Sequence, residues 1–179
     1  KPVREGDVIE HGIDIANSEL GLRSVQITPV TFRLVCLNGM RAWKSESAMR
    51  MRHIGDPDRL RNQIRDAIPV AFAEARGDLD RWRKAVDTLV DNALEEVESL
   101  RGFGLSTGEV QQVGRQLAEQ RGALPQDVGK ASLEQLLSEP TTAYEVANAI
   151  TASAANREGT AARLSMEEVG HRYLARRAA

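Results

Sequence analysis

The sequence predicts an α+β fold: a small, mostly antiparallel sheet with one short helix, followed by a helical C-terminal half. Three observations carry this prediction. Apolar residues near the N-terminus alternate with a period of two, the pattern of a half-buried strand. After Asp56 the spacing changes to steps of three and four, the stripe of an amphipathic helix. From there on, cap residues recur at Asp56, Ser106, Thr142 and Ser165, each placed where a helix can begin.

In "DVIEHGIDI", Ile9, His11, Ile13 and Ile15 share one face, and Glu10 and Asp14 the other. "ANSELG" supplies turn residues, and Val25 and Ile27 alternate again in "RSVQIT", so the two runs read as an antiparallel hairpin. Thr28-Pro29 offers a capping hydroxyl and a first-turn proline, and Asn38-Gly39 suits a helix end. Together they predict a short helix over residues 29–37, although the β-branched run "VTFRLVCL" also suits a continuing strand. "MRAW" and "AMRMRHI" then read as a second hairpin, with Met49, Met51 and His53 on the core side and Arg50 and Arg52 toward solvent.

Asp56-Pro57 starts a helix whose stripe is Leu60, Ile64, Ile68 and Phe72, reinforced by Ala67 and Ala71. Pro69 predicts a kink or break, and Gly77-Asp78 an end followed by a new start. The next helix should be the longest, with Leu79, Trp82, Val86, Leu89, Ala93, Val97 and Leu100 inward. Ser106 with Glu109 and Thr142 with Glu145 are capping-box pairs, a short helix surrounds Leu133, Leu136 and Leu137, and Ser165 with Glu168 opens the last helix. The expected division is a β-rich part over residues 1–55 and a helical part packed on it over residues 56–179. The stretch "RGALPQDVGK", residues 121–130, is a flexible connector in that scheme.

Apolar residues make up 41% of the 179 and charged residues 28%, a globular balance sufficient for one sizeable core or two small lobes. Cys36 is the only cysteine, which rules out an internal disulfide and a cysteine-based zinc site and suits a reducing compartment. No apolar run approaches the roughly 20 residues that cross a bilayer, and no charged-then-apolar leader opens the chain. The chain starts at Lys1 and enters a strand-like segment almost at once, which reads as a fragment of a longer parent.

Charge is distributed unevenly. The overall charge is −2, yet residues 23–65 carry nine Lys/Arg against three Asp/Glu, a net of +6. Arg41, Lys44, Arg50, Arg52, Arg59, Arg61 and Arg65 fall in this block, with Trp43 the one aromatic among them after Arg41. Arginine forks match phosphate oxygens in bidentate geometry. A cationic ridge with one stacking residue would bind nucleic acid mainly through the backbone, with steep salt dependence. The competing account is that these arginines pair with acids of the helical half.

No catalytic centre is nominated. Asn17, Ser18 and Glu19 suit a turn closed by their own side chains, and Cys36 reads as a packed thiol. His11, His53 and His171 lack metal-ligand spacing, so no metal is expected. His11 and His53 would meet only if their strands pair. Asp56 and Asp58 stand where a helix N-terminus favours carboxylates. There is no phosphate-binding loop motif and no cofactor is expected. Asn148 and Thr151, three apart on one helix, suit a polar clasp to another element.

Two motifs carry a resemblance. The turn Asn17, Ser18, Glu19 and Gly21, followed by Arg33, Leu34, Val35, Cys36, Asn38 and Gly39, resembles the hallmark of an uncharacterised phage- and plasmid-associated family, a domain of unknown function. That family has a histidine after the Asn-Gly pair, as His53 stands here, and an Asn-Ala-Ile/Val-Thr helix, matched by Asn148, Ala149, Ile150 and Thr151. The resemblance implies origin in a mobile element and location in the cytoplasm of a bacterial host; it implies no activity.

The leading expectation is a non-enzymatic protein that binds DNA, single strands preferentially, with Arg41, Lys44, Arg50 and Arg52 on phosphates, Trp43 on a base, and Arg59 and Arg61 extending the surface. The hairpin-then-helix layout is similar, at fold level, to single-strand annealing proteins. A homo-oligomer would multiply a weak affinity per subunit. The alternative is a protein–protein interaction module acting on a host or phage factor. An enzymatic reading requires a polar cluster of His11, His53 and Glu19.

Overall fold

Thr28-Pro29 does not begin a helix. In the computed structural model, which describes residues 2–4, 7–16, 24–33, 49–52, 56–129 and 131–179, strand β3 (Val25–Arg33) continues through this pair. It lies antiparallel to β2 (Asp7–Ala16), with Pro29 opposite Ile13 and Thr31 opposite His11. Among the described residues, pairing with β4 (Met49–Met51) stops at Ile27, so no described neighbour on that side needs the N–H that Pro29 lacks. Val25 and Ile27 are buried on one face of β3, and Thr28 and Val30 on the other. A strand covered on both faces shows no alternation, which is why a proline cap signal outweighed it in the sequence. Residues 34–37 of the expected helix lie outside the described residues.

With β1 (Pro2–Arg4), the sheet order is β1-β2-β3-β4, every described neighbour antiparallel. The β2–β3 hairpin is as expected. β4 pairs with β3, whereas "MRAW", its expected partner, lies outside the described residues.

Residues 1–80 and 81–179 form two units. In the first, helix α1 (Pro57–Asp87) places Ala67 and Ala71 against Ile27 of β3, with Ile13, Met49, Met51 and Ile64 around them. Asp56 caps the helix as expected, its Oδ1 accepting the Asp58 N–H at 3.0 Å. The deep face follows Ile64, Ala67, Ala71 and Ala75, because alanines let the helix approach the sheet closely. Phe72, expected inward, is 41% exposed.

α1 breaks at neither Pro69 nor Gly77. Both are exposed, so water can take a carbonyl that the proline orphans, and a helical glycine costs only about 1 kcal/mol. The expected long helix is instead interrupted after Asp87. Strand β5 (Leu89–Val90) pairs with β6 (Thr141–Thr142), and Leu89 is left 74% exposed. Helix α2 (Ala93–Ser99) then starts afresh, with Asn92 Oδ1 accepting the Glu95 N–H at 3.1 Å.

The second unit continues through a 3-10 turn (Leu100–Phe103), α3 (Thr107–Gln120), α4 (Pro125–Val128), α5 (Leu133–Leu136), α6 (Ala143–Ala155) and α7 (Thr160–Arg177). α6 is buried almost all round and is packed by α3 and α7, the position its small apolar residues suit. Gly170 of α7 permits close approach: a Cβ there would stand 3.2 Å from Thr151 Cγ2. The edge of Trp82 meets Tyr144 at 5.7 Å between centroids. α7 starts five residues before the expected Ser165, after Gly159, whose φ of 86° lets the chain turn into the helix.

Both capping boxes form. At the first, Glu109 Oε2 accepts the Ser106 N–H and the Ser106 hydroxyl at 2.6 Å each, and Arg157 pairs with Oε1. The Ser106 hydrogen bonds, with Arg157 adding to them, hold the Glu109 carboxyl below its ordinary value. A group depressed on folding stabilises above its unfolded pKa and loses that contribution as pH falls through its folded one. Acid titration of unfolding free energy should therefore show a loss below the usual carboxylate range that is smaller in Glu109→Gln.

A buried tie joins α2 to α7. Glu96, 5% exposed, accepts the Tyr173 hydroxyl and the Arg177 Nε–H on Oε1, each at 2.7 Å, and a second Arg177 nitrogen pairs with Oε2. Burial, then the Glu96 carboxylate, pushes the Tyr173 phenol well up. The Glu96 hydrogen bonds likewise raise Arg177.

Candidate functional site

The period of two in β4 decides where its arginines go. Met49 and Met51 turn toward Ile27 and α1, so Arg50 and Arg52 are exposed. Asp56, as the cap of α1, and Arg59, in its first turn, approach them from the helix side. Arg50, Arg52, Arg59, Asp56, Leu60 and Gln63, with Met51, line one cavity of about 270 Å³. Three guanidinium groups and one carboxylate therefore face a common space.

The carboxylate is partly engaged already, since Asp56 Oδ1 accepts the Asp58 N–H. Among the described residues no ion pair joins Arg50, Arg52 or Arg59 to an acid, whereas Arg61 pairs with Asp58 at 3.0 Å and Arg65 with Asp66 at 3.3 Å. The described part of the basic block thus divides in two. Three arginines converge on a cavity, and two are met by acids on their own helix. Planar forks converging from two elements can hold a tetrahedral oxyanion by several charge-assisted hydrogen bonds at once.

Arg41, Trp43 and Lys44 lie outside the described residues, as do Asn17, Ser18, Glu19, Gly21, Cys36, Asn38, Gly39 and His53. For Arg33 and His11 only the backbone is described. β2 and β4 do not pair with each other, because β3 lies between them. His11 stands opposite Thr31 while Met51 stands opposite Val25, six residues along β3, roughly 20 Å at the rise of a strand. Pairing of β2 with β4, the condition for His11 and His53 to meet, is thus not fulfilled, and His53 itself lies outside the described residues. Among the described residues no three His, Cys, Asp or Glu side chains gather as a metal site.

Asn148 and Thr151 are both buried in α6. Thr151 Oγ1 donates to the carbonyls of Ala147 and Asn148, at 3.1 and 3.0 Å, so it bonds its own helix rather than clasping another. Asn148 Oδ1 is buried without a hydrogen-bond partner among the described residues.

Gln63 escaped the sequence reading, and Leu60 entered it only as part of the apolar stripe of α1. Gln63 follows Arg59 by four, the spacing that puts two side chains on one helix face, and that was the available signal. Glu96 and Tyr173 left none, being 77 residues apart.

No helix among the described residues is long and apolar enough to cross a membrane. The family model described as "Domain of unknown function (DUF932)" matches residues 1–177. No curated protein and no solved structure matched the chain.

Proposed function

We propose, for a chain that belongs to the DUF932 family of unknown function, that it binds nucleic acid through the phosphate backbone without catalysing a reaction. The observation that carries this reading is the convergence of Arg50, Arg52 and Arg59 on one cavity. Three cations and one carboxylate leave an excess of positive charge in a chain whose net charge is −2. Like charges held together are unfavourable in the free protein and are relieved when a polyanion releases its counterions on binding.

The test is anisotropy of labelled single-stranded and duplex DNA across a salt series. With one phosphate neutralised among the three arginines, a single strand should give a slope of about −0.7 in log K against log salt, and affinity should fall about threefold between 50 and 200 mM. Absence of binding at the lower salt removes the proposal. The second reading, an interaction module for a host or phage protein, draws on Arg61 and Arg65, whose charges Asp58 and Asp66 already meet. It would be left standing by that negative result.

A further inference from the structure

A second groove adjoins the arginine cavity. Its volume is about 360 Å³, its walls are Met49, Met51, Gln63, Asp66 and Ala67, and it shares Met51 and Gln63 with the first. On α1, Arg59, Gln63 and Ala67 follow one another at intervals of four, roughly 6 Å per step. One stripe of the helix therefore passes from a cation, through an amide, to an apolar surface. On the strand side, Arg50 and Arg52 border the cationic half, while Met49 borders the apolar half.

From this pairing we infer that the two grooves hold one nucleotide of a single strand, with its phosphate among Arg50, Arg52 and Arg59 and its base against Met49 and Met51. The inference rests on the polyanion reading above and adds the state of the ligand. A base inside a duplex is stacked on both faces and paired along its edge, so it presents no face to an apolar wall. An unpaired base does. Methionine thioethers are polarizable and pack well on aromatic rings, and their flexibility tolerates purine and pyrimidine alike.

Gln63 stands between the halves with both a donor and an acceptor, so it can meet the edge of the base. It is exposed, and no described side chain occupies its amide. Asp66, one oxygen of which takes the Arg65 Nε–H at 3.3 Å, offers a further acceptor to an exocyclic amine. The Asp66 acceptor favours an amine-bearing base over thymine, while the methionine wall and the reorientable Gln63 amide take any base, so the groove distinguishes strand state more than sequence.

The experiment compares three labelled probes on the full chain at about 50 mM salt, where the electrostatic contribution is large: a single-stranded oligodeoxynucleotide, an abasic strand of equal length and charge, and a duplex. The bases should raise affinity about three- to tenfold over the abasic strand, the size of a hydrogen bond and an apolar contact. Gln63→Ala should remove most of that increment and leave abasic binding unchanged, and Arg52→Ala should weaken all three probes. Equal binding of the base-bearing and abasic strands overturns the inference, as does equal binding of the duplex or an equal loss on both strands in Gln63→Ala. In those cases the backbone reading survives without a base subsite. Failure of every probe to bind overturns both.

Discussion

Replacing Glu96 with alanine is expected to destabilise the helical unit by about 3 kcal/mol. Tyr173 is fully buried and its hydroxyl donates to Glu96. Truncation leaves that hydroxyl without an acceptor, a cost of about 1–3 kcal/mol. Arg177 is 43% exposed at its side chain, so solvent screens its lost pairing and limits that part to roughly 1 kcal/mol or less. The space vacated between α2 and α7 adds a packing penalty. Glu96→Gln keeps an acceptor oxygen for Tyr173 and should cost about half as much. Urea denaturation followed by far-ultraviolet circular dichroism measures both. Glu98→Ala supplies the contrast, because its pair with Arg101 is 45–50% exposed and is worth about 0.5 kcal/mol. A Glu96→Ala loss no larger than that of Glu98→Ala would mean that the buried tie carries no stability.

The double reversal Arg52→Glu with Arg59→Glu should lower nucleic-acid affinity by at least about 100-fold. Two charge-assisted contacts at about 1.5 kcal/mol each account for that factor, and the carboxylates that replace them add repulsion. Both arginines are exposed, so unfolding free energy should move by no more than about 0.5 kcal/mol. The matched control is Arg61→Glu with Arg65→Glu, which changes net charge equally but removes guanidinium groups already met by Asp58 and Asp66. It should cost several-fold less than the first pair. Equal losses in the two double variants would make binding a matter of overall charge and deny the cavity a particular role.

The helix caps show what is legible locally. Ser106 with Glu109 and Thr142 with Glu145 form as their spacing foretells, because a capping box is decided by residues three apart. The alternation in β4 was equally plain, and with it the outward aim of Arg50 and Arg52; β2 forms as a strand, yet Ile15 of its expected apolar face is 47% exposed. Where local signals competed, the winner depended on distant chain. Thr28-Pro29 has the chemistry of a helix start, yet the β2 pairing of residues 26–33 makes it strand. Leu89 fits a helical stripe by spacing, yet pairing with Thr142 takes it out of the helix.

The candidate site divides in the same way. Composition and order along the chain located the basic block and identified arginine as its phosphate-matching residue. They could not say which arginines meet one another and which meet acids, since Arg61 and Arg59 look alike in sequence. Two residues, about 200° around the helix, separate their fates: Arg61 reaches Asp58, while Arg59 faces the cavity with Arg50 and Arg52. The amino-acid order by itself determined the α+β class, the capping boxes at Ser106 and Thr142 and the family likeness, because each rests on short local patterns. Only the tertiary structure decided the long α1, the buried Glu96 tie and the joined cationic and apolar grooves, because each depends on side chains from separate elements meeting in space.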